Sequence, residues 1–158
     1  MASIWFSYLQ TNIITDDFAK ELLAKKAKVN VVTKEGNNEF HLIANYIRYD
    51  GALEVAQILL KRGVSLTALD KKYKNTALFS LCLHTHTAQE PEYQKFLKTC
   101  IRKVQPSDWD ITNKAGISLR SFIQEHGPDE LKKFLEDVEY EKEHEHGWLD
   151  RFKNHLRK

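Results

Sequence analysis

Cys82, His84 and His86 are the side chains of this sequence that come closest to a metal-binding motif. Zinc sites need three or four ligands that converge on one point in a tetrahedral arrangement. Positions that alternate along a helix point in divergent directions, and the sequence signals no fourth ligand. We therefore interpret the segment as an ordinary helix end followed by a loop, and we expect neither a metal nor another cofactor.

His41 and the pair Asp108 and Asp110 are the candidates for acid–base chemistry. A hydrolytic site also needs a serine or cysteine presented beside the base, and neither cysteine has such a context. The sequence has no glycine pattern of a nucleophile elbow, a P-loop or a dinucleotide-binding fold. The two acids flank Trp109 in a predicted turn, where helix capping is the simpler interpretation. The sequence thus favours a non-enzyme without a small-molecule substrate; a small enzyme or a metal-binding protein is the less favoured alternative.

The amino-acid composition and the charge balance exclude further classes of function. The 158 residues are 42% hydrophobic and 29% charged, which suits one compact domain or a short repeat array. The 24 basic residues nearly balance the 22 acidic ones, whereas nucleic-acid binders usually carry a clear basic excess. No stretch approaches the roughly 18 apolar residues that a membrane span needs, and two cysteines are too few for a disulfide framework. We expect a protein of a reducing, cytoplasmic compartment that binds neither nucleic acid nor membranes.

Apolar residues recur at helical spacing in several segments, whereas strand-like alternation never persists. One helix is predicted over residues 93–104, preceded by Pro91, because proline is tolerated in the first turn of a helix. Another is expected over residues 129–144, and large apolar residues mark a last, separate helix over residues 148–156. Gly147, like other glycines, falls between these patterns and indicates a chain reversal. These signals together predict an all-α protein.

Two stretches of the chain repeat each other at an offset of 37 residues. Residues 22–30 and residues 59–67 both contain two leucines, a short basic stretch, a turn position and an apolar–polar pair. Similar segments follow each of them, and a third, weaker copy occupies residues 113–119. Because a repeated helix pair cannot bury its apolar face alone, neighbouring pairs must stack. The pattern therefore predicts a repeat array with an extended, curved surface.

These stretches resemble the ankyrin repeat, in which G-x-T-P-L-H-x-A opens a first helix and V-x-x-L-L-x-x-G-A lies in a second helix. The match is best at residues 53–70 and recurs at residues 22–30. Residues 40–41 stand where the family has Leu-His, and residues 76–79 stand where it has T-P-L-H. The resemblance covers residues 15–127.

The resemblance implies an all-α solenoid of about four helix-turn-helix repeats with short hairpin loops and a helical C-terminal cap, in a single domain over residues 1–158. Its parts are an N-terminal cap helix over residues 1–14, the repeat core over residues 15–127 and C-terminal helices over residues 128–158. The sequence departs from the family pattern in five places: Glu39 and Ala77 replace proline, Lys26 replaces glycine, Tyr73 reads as a one-residue insertion in a hairpin, and residues 86–92 lengthen the turn before the second helix of the third repeat.

Ankyrin repeats mostly bind proteins, and the resemblance carries this use over to the matching positions. The implied hairpin-tip residues are Lys34, Glu35, Asn37, Lys71, Lys72, Tyr73, Asn75, Lys114 and Ile117; the ends of first helices add Asn45, Tyr46 and His84. Tyr46 and Tyr73 are the expected anchors, since tyrosine is enriched at binding hot spots. The family's histidine at the position of His41 bonds to turn backbone between repeats, which implies a structural role.

The resemblance thus implies a non-catalytic module that binds another protein and is monomeric when free. A stoichiometric inhibitor, such as an immunity protein that neutralises a toxin, is the favoured interpretation because the chain is a small array without a second domain. The alternative is a secreted pathogen effector or an adaptor that binds a host protein.

Overall fold

The computed structural model describes residues 28–83 and 90–157, and these residues are mostly helical. Strand-like pairing within the described ranges is limited to isolated bridges from Leu69 to Thr76 and from Thr112 to Ser118. The all-α prediction is therefore confirmed. The described α-helices are α1 (Glu39–Ala44), α2 (Ala52–Lys61), α3 (Ala77–Cys82), α4 (Pro91–Lys103), α5 (Leu119–His126) and α6 (Asp129–Leu156), with a 3-10 turn at Pro106–Asp110.

Polar residues and prolines set where these helices begin. The side chains of Asn38, Thr76 and Ser118 accept backbone N–H bonds from the first turns of α1, α3 and α5. Each therefore satisfies a donor that the helix itself leaves unpaired. Pro91 opens α4 as predicted, and Pro128 immediately precedes α6.

The helices pack in two layers. Helices α1, α3 and α5 lie side by side in one layer, and α2, α4 and α6 lie side by side in the other. Each helix of the first layer also contacts the helix that follows it in the chain. Phe40, Leu59, Leu81 and Ile101 are fully buried in the resulting core. Leu59 and Leu60, the paired leucines of the repeated stretch at residues 59–67, both belong to this core.

The C-terminal region forms one continuous helix of 28 residues, so the prediction of two separate helices is wrong. Gly147 lies inside α6 and does not mark a chain reversal. A single interior glycine costs a helix only about 1 kcal/mol relative to alanine, which the long helical segments on either side tolerate. The Arg151 guanidinium also donates a hydrogen bond to the Gly147 carbonyl oxygen at 3.1 Å.

Other predictions lie beyond the described part of the chain. The N-terminal cap helix over residues 1–14 and the Lys26 departure are outside it, as are His84 and His86. No helix within the described ranges is both long enough and apolar enough to span a membrane.

Candidate protein-interaction groove

Three short hairpins lie within the described residues, each directly before a helix of the first layer. We name them hairpin 1 (residues 33–37), hairpin 2 (residues 70–75) and hairpin 3 (residues 113–117). Each is closed by a backbone N–H···O=C bond between its ends: Thr33 to Asn37 at 2.9 Å, Asp70 to Asn75 at 3.1 Å and Asn113 to Ile117 at 2.9 Å. Hairpin 2 is thus one residue longer than the others, which confirms the insertion predicted at Tyr73.

Hairpin turns need one residue in the left-handed backbone region. Gly36 (φ +80°) and Gly116 (φ +75°) take this conformation in hairpins 1 and 3. Lys74 takes it in hairpin 2 with φ +58°, although left-handed backbone costs an ordinary L-residue about 1–2 kcal/mol. The longer hairpin therefore carries a lysine where the shorter ones carry glycine.

Backbone hydrogen bonds join the hairpins to one another in a row. The Lys71 N–H donates to the Glu35 carbonyl at 2.8 Å, and the Lys114 N–H donates to the Tyr73 carbonyl at 2.9 Å. Hairpins 1 and 2 approach closely, since a Cβ added at Gly36 would lie 3.1 Å from the Leu69 carbonyl oxygen. The row fixes the backbone of the tips, while most of the tip side chains stay exposed.

His41 connects α1 to hairpin 2 from inside the molecule. Its Nε2 atom lies 3.1 Å from the Asn75 carbonyl oxygen. This oxygen can only accept, so Nε2 carries the proton and Nδ1 is free to accept from the Asn38 N–H at 3.1 Å. Burial lowers the pKa of His41, against the opposing effects of the Asn75 carbonyl and the Asp70 carboxylate. The bond between α1 and the next hairpin confirms the structural role that the sequence implied.

A groove of about 250 Å³ runs between hairpins 1 and 2 and the ends of α1 and α3. It brings together half of the predicted binding residues: Glu35, Asn37, Asn45, Lys72, Tyr73 and Asn75. Sequence reasoning missed Asp70, Ser80 and Leu83, which also line the groove. Ser80 and Leu83 lie on and just after α3, so their spacing from the T-P-L-H position could have identified them.

Hairpin 2 forms a cationic rim around one aromatic side chain. Tyr73 is 54% exposed, and Lys71, Lys72 and Lys74 beside it are exposed as well. The Lys72 ammonium lies 4.8 Å from the centroid of the Tyr73 ring. The neighbouring Tyr73 side chain is the main cause that raises the pKa of Lys72. The rim is therefore positively charged and carries one apolar surface that a partner can cover.

One predicted tip residue has a different role. Asn75 is only 8% exposed, and its prediction as an exposed contact is wrong. Its backbone N–H donates to the Asp70 carboxylate at 2.9 Å, and its side-chain oxygen accepts from the Asn113 amide at 2.9 Å. Asn75 therefore holds hairpin 2 against α1 and hairpin 3.

The remaining predicted residues lie outside the groove. Lys34 is exposed on hairpin 1, and Lys114 and Ile117 are exposed on hairpin 3, farther along the same row. Tyr46 is half-buried after α1, with its ring centroid 6.1 Å from that of Tyr49. His84 falls outside the described residues.

The residues that the sequence offered as metal ligands or acid–base groups are used in packing, capping and ion pairing. Cys82 and Cys100 are both buried free thiols; burial raises both pKa values, that of Cys100 to about 12. Asp108 accepts the Gln105 N–H at 2.9 Å as a cap of the 3-10 turn, which confirms the capping interpretation for this acid. Asp110 instead pairs with Arg120 at 2.7 Å. Over residues 28–83 and 90–157, no three His, Cys, Asp or Glu side chains converge as metal ligands would.

No protein-family model matches this chain, and no curated protein matches it. A solved structure does: the crystal structure of a functionally unknown protein from Leptotrichia buccalis C-1013-b. It is similar with a TM-score of 0.70 and 21% sequence identity, over 90% of this chain and 78% of that one. At this identity the likeness concerns the fold alone.

Proposed function

We propose that the chain is an ankyrin-repeat solenoid that acts as a non-catalytic protein-binding module. We further propose that it is a stoichiometric inhibitor, which covers its target in the manner of an immunity protein. The two helix layers, the three linked hairpins and the bond from His41 to the next hairpin support the solenoid. The helix pairs and the hydrogen-bonded hairpins recur along the chain, as stacked units require.

The observation that carries the binding function is the combination of a fixed backbone and free side chains at hairpin 2. Hydrogen bonds to hairpins 1 and 3 hold its backbone from both sides. The exposed side chains of Lys71, Lys72, Tyr73 and Lys74 project from it. Binding therefore orders few backbone groups, which keeps the entropic cost of association low.

The chemistry of the rim favours an acidic protein surface with a pocket for one aromatic ring. Lysines raise the association rate with such a surface and improve specificity. A tyrosine that becomes buried in the partner contributes mainly to slow dissociation. Asn37, Asn45 and Ser80 in the adjoining groove supply neutral hydrogen-bonding groups for the partner's polar atoms.

The titratable groups of the groove favour recognition over catalysis. The Asp70 carboxylate accepts the backbone N–H groups of Tyr73 at 2.7 Å and Asn75 at 2.9 Å. His41 is 5% exposed and bonded through both ring nitrogens. Both groups therefore hold the hairpins, and neither is presented to a substrate.

Affinity capture from extracts of the source cells tests this proposal. The immobilised protein is compared with a Lys72→Ala/Tyr73→Ala variant and with Tyr49→Ala, which removes an equally exposed tyrosine (59%) outside the groove. We expect a protein that the wild type and Tyr49→Ala retain and the double variant loses. Its identity separates a toxin inhibitor from an effector or adaptor. Equal retention of every captured protein by all three baits would contradict the proposed surface.

A further inference from the structure

The second half of α6 carries an exposed apolar stripe that neither the core nor the groove uses. Tyr140, His144, Trp148, Phe152 and Leu156 are spaced four residues apart, so they form a continuous ridge that winds around the helix by about 40° at each step. Tyr140 is 63% exposed, Trp148 61%, Phe152 49% and Leu156 70%. The Trp148 and Phe152 rings stack with their centroids 5.3 Å apart. A contiguous exposed patch of this kind usually marks an interaction site.

This stripe lies where α6 extends past the helices that it packs on. Val138 is the last fully buried side chain of α6. The Lys142 ammonium then donates to the carbonyl oxygens of Arg102 and Val104 at the end of α4. From Glu143 to Arg157 every described side chain is exposed. The stripe from Tyr140 to Leu156 is about 24 Å long at the rise of an α-helix.

Charge is segregated along the same segment. Residues 136–145 contain six acidic side chains and one lysine, whereas residues 150–157 contain three lysines or arginines and one aspartate. The acidic half and the basic half lie on either side of Trp148. A partner helix that fits this surface must carry the opposite order of charge, and an antiparallel copy of the same helix does so.

We propose that this half of α6 pairs in antiparallel fashion with the same segment of a second copy of the chain, about a two-fold axis near Trp148. The stripe is symmetric about that residue. Trp148 then meets Trp148 of the second copy, and His144 lies opposite Phe152 on either side of this central contact. A two-fold interface uses the same patch on both molecules. In a parallel pair, by contrast, the acidic half of one helix would lie against the acidic half of the other.

The proposed pairing replaces the monomer expected from the sequence, and it is independent of the binding function of hairpin 2. A single helix–helix seam is small compared with stable interfaces, which bury about 1,200–2,000 Å². We therefore expect a concentration-dependent dimer with a Kd of about 1–100 µM.

Sedimentation equilibrium of the full chain at low salt, from about 5 to 500 µM, tests the pairing. The wild type should dimerise over this range. Trp148→Ala should weaken dimerisation at least about tenfold, as expected for a central aromatic contact. Tyr49→Ala removes an equally exposed aromatic side chain from the body and should leave the dimer unchanged. Far-ultraviolet circular dichroism checks that each variant keeps its helices.

A charge swap tests the antiparallel arrangement itself. Glu145 and Arg151 flank Trp148, three residues before and after it. Glu145→Arg makes both flanks basic and Arg151→Glu makes both acidic, so each variant alone should dimerise about tenfold more weakly. An equimolar mixture of the two should recover dimers, because opposite flanks then face each other.

Three outcomes would overturn the proposal. The chain could remain monomeric up to about 500 µM, Trp148→Ala could dimerise as the wild type does, or the mixed charge variants could associate no better than either alone. Co-sedimentation with anionic vesicles that Trp148→Ala abolishes, in a chain that does not dimerise, would assign the stripe to a membrane surface instead.

Discussion

Replacing Glu39 with glutamine should stabilise the protein at neutral pH. Glu39 stands at the start of α1, where it is completely buried. Its Oε1 atom accepts the Val31 backbone N–H at 3.2 Å, while Oε2 has no hydrogen-bond partner among the described residues. Burial raises the pKa of Glu39, and the nearby backbone N–H groups of Glu39, Val31 and Asn30 oppose the shift only in part.

The expected gain follows from two opposing changes in free energy. A buried polar atom without a partner costs about 1–3 kcal/mol, and more when it is charged. Glutamine removes the charge but keeps the shape and an oxygen for the Val31 N–H, and a neutral NH2 group takes the place of the unpartnered oxygen. The bond to Val31 weakens by about 1 kcal/mol, because a neutral acceptor replaces a charged one. We therefore expect Glu39→Gln to raise the free energy of unfolding at pH 7.5 by about 1 kcal/mol.

The pH dependence of this gain gives the sharper test. An acid whose folded-state pKa is raised stabilises the fold fully below its unfolded pKa, about 4.3. That stability is lost as the pH rises through the folded pKa. At pH 4 Glu39 is mostly neutral in both states, so the difference in stability between variant and wild type should be smallest there. The difference between them should then grow with pH towards its value at pH 7.5.

Urea unfolding followed by far-ultraviolet circular dichroism, at several pH values from 4 to 8, measures this difference. Glu136→Gln is the matched control, because Glu136 is exposed on α6 and its neutralisation should change stability by less than about 0.5 kcal/mol. A Glu39→Gln variant that is less stable than the wild type at pH 7.5, or whose effect does not vary with pH, would refute the reasoning.

Other substitutions test the hairpin row and the core by urea unfolding. Leu59→Ala should cost about 2–5 kcal/mol, since the side chain is fully buried; a loss below about 0.5 kcal/mol would contradict its core position. Gly36→Ala should lower the free energy of unfolding by about 1 kcal/mol more than Gly116→Ala does. Both glycines have positive φ, but of the two only Gly36 lies close to the next hairpin. Equal losses for the two variants would mean that the close approach does not matter for stability. Lys74→Gly should raise stability by about 1 kcal/mol, because it relieves left-handed backbone; a loss of stability would contradict that strain.

The sequence predicted features that depend on local periodicity and turn chemistry. The apolar spacing of residues 93–104 indicated the helix that forms α4, and Pro91 opens it as expected. The length of hairpin 2 could be counted because the same turn occurs at shorter length elsewhere in the chain. Leu59 was identifiable as a core residue because its neighbours repeat at helical spacing.

Features set by distant parts of the chain could not be predicted in this way. Asn75 is buried because Asn113, 38 residues farther along, bonds to its side chain. Glu39 lies in the interior because α1 packs there, although its residue type favours exposure. Gly147 gave a misleading signal because the small cost of one glycine does not decide whether a helix of 28 residues continues.

The claim that hairpin 2 is the binding surface is tested most directly by the rates at which the captured partner associates and dissociates. We predict that Tyr73→Ala speeds dissociation about 5- to 150-fold, equivalent to about 1–3 kcal/mol, with little effect on association. Lys71→Ala and Lys72→Ala should slow association and reduce its salt dependence. Tyr49→Ala should leave both rates unchanged. If the hairpin variants, shown to be folded, bind and release the partner at the rates of the wild type, hairpin 2 is not the binding surface.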